Sequence, residues 1–171
     1  NMDRLPILEV QQEDGQVLHI GQSRAIERYV SSRCGLLGGN AEESALVDCV
    51  AESVRDIKDR WARIRSTGGF APNSEKEALT EKWFAGGELA DWLDRLEKSL
   101  PSPTTTTSSG TSSGSSGVWA VGDHMSYADV CIWHLLRDFF PVNHRQEVRQ
   151  AEKKSACSRL SRIADKVGEL E

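Results

Sequence analysis

Long apolar runs are missing from this sequence. No stretch approaches the roughly 18 consecutive apolar residues that a spanning helix needs, and the first residues lack the basic-then-apolar order of a signal peptide, so no membrane association and a cytoplasmic location are expected. Positive charge is not in excess either. Twenty-one Lys and Arg against 26 Asp and Glu leave a net charge of -5, which provides no concentrated positive field for a phosphate backbone and argues against nucleic acid as a partner. Cysteines are scarce and scattered: Cys34, Cys49, Cys131 and Cys157 form no C-x-x-C pair and have no histidine at zinc-ligand spacing. They predict no metal site, and we read them as buried reduced thiols. Hydrophobic residues at 38% and charged residues at 27% place the chain among globular proteins, and 171 residues suffice for one substantial core, or for one complete domain plus part of another.

The sequence opens with a strand signal over Leu5 to Val10, a polar stretch containing Asp14-Gly15, and a second strand signal over Val17 to Ile20. The pattern predicts a β-hairpin. Ser23 then caps a short helix with Ala25, Ile26, Tyr29 and Val30 inward, ended by Gly35. After Gly38-Gly39 the patterning is helical throughout. Asn40 with Glu43 forms a capping-box signature, and Leu46, Val50, Val54, Ile57, Trp61 and Ile64 recur every three or four residues, which predicts a spine helix of about 25 residues. A further helical region from Ser74 is weakened at Gly86-Gly87, so two helices or one kinked helix are expected. Residues 101–117 consist only of Pro, Ser, Thr and Gly; without apolar side chains to offset ordering entropy, they predict a mobile surface loop. Ser126 and Asp129 open a helix with Val130, Trp133, Leu136 and Phe140 inward, and two more helical stretches follow near 145–154 and 156–168.

Three groups of residues carry candidate chemistry. Leu5-Pro6 precedes a strand, and an X-Pro bond tolerates the cis form. Gln22-Ser23 lies at a strand-to-helix junction, followed by Arg24-Ala25-Ile26-Glu27-Arg28-Tyr29. A helix start presents unpaired N–H groups and the positive end of the helix dipole, which suits a carboxylate; Ser23 adds a hydroxyl, and the Gln22 amide both donates and accepts. Asp56 lies on the spine helix, two turns beyond Ala45-Leu46-Val47-Asp48.

In this order and approximate spacing, the three motifs resemble those of the soluble glutathione transferases of the tyrosine-using, sigma-like or pi-like kind. The resemblance implies an α+β, mostly α fold: a partial thioredoxin-like half over residues 1–36, a hairpin plus helix, followed by an all-α domain over 40–171. It implies that the proline is cis and that the Leu5 backbone pairs with the cysteinyl unit of glutathione like an added strand. Gln22 and Ser23 would hold its γ-glutamyl end, and Asp56 would reach the α-amino group of glutathione bound in a neighbouring subunit of a homodimer. Trp61, Ile64 and Arg65 would border an acceptor pocket by family position, although Trp61 and Ile64 also read as core.

The implied reaction is conjugation of reduced glutathione to small apolar electrophiles, with glutathione as substrate and no metal. In the family, a tyrosine or serine near the first strand stabilises the attacking thiolate. That strand would precede residue 1, so the N-terminal half is expected to be truncated, the carboxyl end is expected to be clipped, and no catalytic residue is assigned. The alternative is a non-catalytic structural or assembly module of the same fold, as in lens crystallins and translation factors.

Overall fold

A computed structural model of the chain describes residues 5–69, 74–102, 118–155 and 157–170. The fold is mostly helical with one two-stranded antiparallel sheet, and it divides into two compact units, one up to Leu37 and one from Gly38.

In the first unit, β1 (Ile7–Gln11) pairs with β2 (Val17–Gly21) in the register Ile7↔Gly21 to Gln11↔Val17. The Asp-Gly turn works through two devices. Asp14 Oδ1 accepts from the Gln16 N–H at 2.9 Å, and Gly15 takes φ +81°, which a side chain would resist. Helix α1 (Ser23–Arg33) ends in paired backbone bonds, Leu36 N–H to Ser31 O at 2.8 Å and Gly35 N–H to Ser32 O at 3.3 Å, with Gly35 at φ +70°. Its inward face differs from the pattern. Ile26 and Tyr29 are half-buried, Ala25 and Val30 are exposed, and the small Ser31 is the buried residue.

In the second unit, α2 (Ala41–Ser66) is the spine, 26 residues long. Asn40 Oδ1 accepts from Glu43 N–H at 2.8 Å, but the Glu43 carboxylate reaches past the cap to Gly39 N–H at 2.7 Å. Val47, Val50, Val54, Ile57, Trp61 and Ile64 are buried, while Leu46 stays 40% exposed. Helices α3 (Ser74–Phe84) and α4 (Glu88–Ser99) are separate, broken at Gly86-Gly87 with Gly87 at φ +88°. Most of the 101–117 segment lies outside the described residues. Helix α5 (Tyr127–Trp133) packs against α2 and α7, and α6 (Arg145–Lys154) and α7 (Ser158–Gly168) complete the unit. Each large core side chain, among them Ile57, Leu93, Ile132 and Leu160, contributes about 1.5–3 kcal/mol by leaving water.

The helix from Ser126 differs in two ways from its apolar pattern. It continues beyond Trp133 as a π-helical turn, His134–Asp138, in which the Phe139 N–H reaches back five residues to His134 O at 2.8 Å. The buried apolar positions are Ala128, Cys131, Ile132, Leu135, Leu136 and Phe140, with Val130 and Trp133 only half-buried. This helix is flanked on two sides, by α2 and α7, so its apolar surface exceeds one stripe. Cys131 and Cys157 are buried, and burial pushes the Cys157 thiol upward; Cys34 and Cys49 are exposed, contrary to the expectation for all four.

Arg159 ties the chain at Pro101 to the chain at Trp119 and Ala120. Its guanidinium donates to Pro101 O at 2.5 Å, Trp119 O at 2.8 Å and Ala120 O at 3.1 Å. The Glu97 carboxylate, from α4, accepts from the first free N–H groups of α7, Arg159 and Leu160, each at 2.9 Å. Removing the guanidinium leaves three carbonyls to find water. Arg159→Ala is expected to cost about 2 kcal/mol in urea unfolding. Arg159→Lys should restore little of it, because one ammonium does not reproduce the planar fork.

Candidate functional site

The strand-to-helix junction of the first unit is built from backbone geometry. The Leu5-Pro6 bond is cis, and Leu5 is 87% exposed. Gln22 takes φ +70° and ψ +120°, a region that a residue with a side chain rarely occupies. Holding it there costs on the order of 1–3 kcal/mol. In that conformation the Gln22 carbonyl accepts the first helical bond, from Ile26 N–H at 3.0 Å. Gln22 is therefore the cap residue, and Ser23 is the first residue of the helix rather than its cap. No side chain caps the helix. The Gln22 amide and Ser23 hydroxyl are exposed and form no hydrogen bond among the described residues, beside the first turn of the helix.

Asp56 belongs to the second unit, on α2. It lines a groove of about 160 Å³ between α2 and α4, together with Trp92, Arg95 and Leu96. Asp56 forms no ion pair among the described residues. The structure thus brings Gln22 and Ser23 together directly, with Leu5 preceding the same hairpin, and sets Asp56 in a groove of its own. Trp61 and Ile64 are 3% and 2% exposed, so both are core rather than pocket lining; Trp61 packs edge-on against Phe84 and Phe140 at ring-centroid distances of 5.1 and 6.0 Å. Arg65 is exposed. Of the two tyrosines, Tyr29 lies more than one turn along α1 from Ser23, and Tyr127 is the first residue of α5.

Sequence reasoning did not find Arg95 or Trp92 beside Asp56, although their i, i+3 spacing on one face of α4 was available. It also did not find the conformation of Gln22. Lys58 and His134 make a second polar pairing, Lys58 Nζ donating to His134 Nδ1 at 2.7 Å, which places the imidazole proton on Nε2. Among the described residues no group of three or more His, Cys, Asp or Glu is arranged to hold a metal ion, and no helix is long and apolar enough to cross a membrane.

A two-stranded hairpin with a cis-proline at its entry, a helix opened by a strained residue and a following bundle of helices make up a partial thioredoxin-like half and an all-α domain, as in a transferase fold. The chain belongs to the glutathione S-transferase family: the profile described as Glutathione S-transferase, C-terminal domain matches residues 56–171. Probable glutathione S-transferase 6 of Caenorhabditis elegans is 38% identical over 79 residues, covering 46% of this chain and 36% of that protein. Glutathione S-transferase 4 of the same organism is 30% identical over 131 residues, covering 75% of this chain and 54% of its own length. The chain thus spans between about a third and a half of these two relatives. Among solved structures, the sigma class glutathione transferase of Fasciola hepatica superposes with a TM-score of 0.58 at 23% identity, over 95% of this chain and 73% of that one, which is a likeness of fold.

Proposed function

We propose that the chain binds reduced glutathione and serves its conjugation to small apolar electrophiles, as part of a homodimeric cytoplasmic transferase. The observation that supports this reading best is the strained Gln22 with the uncommitted Gln22 and Ser23 side chains at the start of α1. A strained residue is retained where its geometry is used, and this geometry offers a hydroxyl, an amide and the positive end of a helix to one small anion. The γ-glutamyl end of glutathione carries a carboxylate and an ammonium in one place. The Leu5 backbone would pair with the cysteinyl unit as an added strand does, leaving the sulfur toward the acceptor. Conjugation proceeds by attack of the thiolate on the electrophile; no residue of this chain is assigned to stabilising that thiolate. Asp56 would hold the ammonium of glutathione bound by the second copy.

Calorimetry of glutathione against the 171-residue chain tests the reading. Ser23→Ala is expected to weaken binding by about 1–3 kcal/mol, with α1 intact by circular dichroism because the Ser23 side chain caps nothing. Unchanged affinity would remove Ser23 from the site.

A further inference from the structure

Three of the four histidines lie beside a carboxylate: His19 is 3.2 Å from Glu9, His124 is 2.7 Å from Asp123 and His144 is 3.6 Å from Glu147. Protonation strengthens each of these contacts. His134 is placed differently, because its Nδ1 accepts at 2.7 Å from another base, Lys58 Nζ on α2, and an ammonium can donate to an imidazole nitrogen only while the imidazole is neutral. Its Nε2 faces the Asp138 carboxylate at 3.7 Å, too far for a hydrogen bond but close enough for ionic attraction. The two partners belong to different parts of the unit. Lys58 joins the spine to the π-helical turn twice, since its ammonium also lies 5.4 Å from the centroid of the Phe139 ring, whereas Asp138 belongs to the same turn as His134. Other charges nearby are engaged with one another: Arg137 with Glu152 and with Asp165 of α7, and Arg55, one turn before Lys58 on α2, with Glu52 at 3.4 Å. The imidazole is 40% exposed, so protons from solvent reach it.

We infer that His134 is a proton-operated latch between α2 and the π-helical turn. Neutral, it accepts from Lys58 and closes the turn onto the spine. When it takes up a proton, Nδ1 becomes a donor facing an ammonium, the bond to Lys58 breaks, and the imidazolium is drawn to Asp138 within its own turn. An ordinary imidazole makes this change near pH 6.5, so the latch is closed at about pH 8 and open at about pH 5. The stability that comes from the Lys58 bond is therefore present at the alkaline end and lost as pH falls, as for any bond that only the deprotonated form of a group can make. The release acts on an irregular segment: the Phe139 N–H already reaches back five residues, to His134 O at 2.8 Å, out of α-helical register.

The test is urea unfolding of the 171-residue chain, of Lys58→Met, of His134→Ala and of the double variant, on either side of the imidazole range, which measures the coupling between the two side chains. Favourable coupling is expected at the higher pH and its loss at the lower. His134→Asn carries a carbonyl that can accept from Lys58 but cannot titrate, so in that background the effect of Lys58→Met should be the same at both pH values. Coupling that is absent at the higher pH, or equal at the two, would overturn the latch. So would an effect of Lys58→Met that fades at the lower pH in the His134→Asn background, which would place the titrating group elsewhere. Both side chains are partly exposed, and a measurement on the unaltered chain covers a variant that fails to fold. NMR of the ring nitrogens at the higher pH should show His134 as the Nε2–H tautomer; the Nδ1–H tautomer would refute the bond and the latch with it.

Discussion

Glu152→Ala is expected to lower the stability of the helical unit by about 3–5 kcal/mol, the cost of stranding a buried charge. The Glu152 side chain is 5% exposed, accepts from Arg137 Nη1 at 2.9 Å and from the Ser161 hydroxyl at 2.8 Å, and is joined through Arg137 Nη2 to Asp165 at 2.8 Å. Burial opposes the charge on Arg137, but its bonds to Asp165 and Glu152 outweigh that and hold the proton more firmly than usual. Without Glu152 the guanidinium keeps the exposed Asp165 and a longer bond to the Leu136 carbonyl at 3.3 Å, and the Ser161 hydroxyl loses its acceptor. The effect should be non-additive. An Arg137→Met, Glu152→Met double variant removes both charges and is expected to recover much of the loss, since apolar side chains of similar size often replace such a pair without penalty. Chemical unfolding of the two single variants and the double variant measures the coupling; additive losses would mean that the pair is not the source.

The second large effect lies at Asp129, which is fully buried at the start of α5. Its Oδ1 accepts from Ala120 N–H at 2.6 Å, and its Oδ2 accepts from the Ser126 N–H at 2.8 Å and hydroxyl at 2.7 Å. Asp129→Ala leaves three donors without a partner and should cost about 3 kcal/mol. Its pH dependence has a definite sign. Burial is the largest influence and pushes the carboxyl above its ordinary value, against the hydrogen bonds that pull it down. Between the unfolded and native values the native state therefore binds more protons, so the contribution of this group is full at acid pH, below the unfolded value, and is lost as pH rises through the native value. Asp129→Asn cannot titrate. The stability of the unaltered chain relative to Asp129→Asn is expected to be greatest at acid pH and to decline to a plateau as pH rises. Urea unfolding over a pH series would show this, and an advantage growing with pH would refute the burial argument.

The elements that were legible in the sequence are those whose signals are local. Asn40 with Glu43 and Ser126 with Asp129 mark helix starts because the bonds they make span only a few residues. Gly86-Gly87 divides α3 from α4 because the break needs φ +88° at Gly87. The candidate site was legible to the same extent: Gln22 and Ser23 are neighbours in sequence, so a helix start brings them together without any distant partner. Arg95 and Asp56 lie on different helices, and no local pattern announces that α2 and α4 put them in one groove. The same holds for Arg137, Glu152 and Asp165, which come from three different helical segments.

The sequence by itself determined the order and type of the elements, the hairpin turn and the helix starts, because caps, glycines and apolar period act over one or two turns of chain. Tertiary structure alone decided which surfaces are used twice and which charges are left over. The segment after Trp133 takes a π-helical turn at a position where no local propensity favours one. Packing of distant elements fixes such choices. For the same physical reason the pairing of Arg137 could not be read in advance: an ion pair is a statement about distance in space, which apolar burial sets only when the helices have closed on one another.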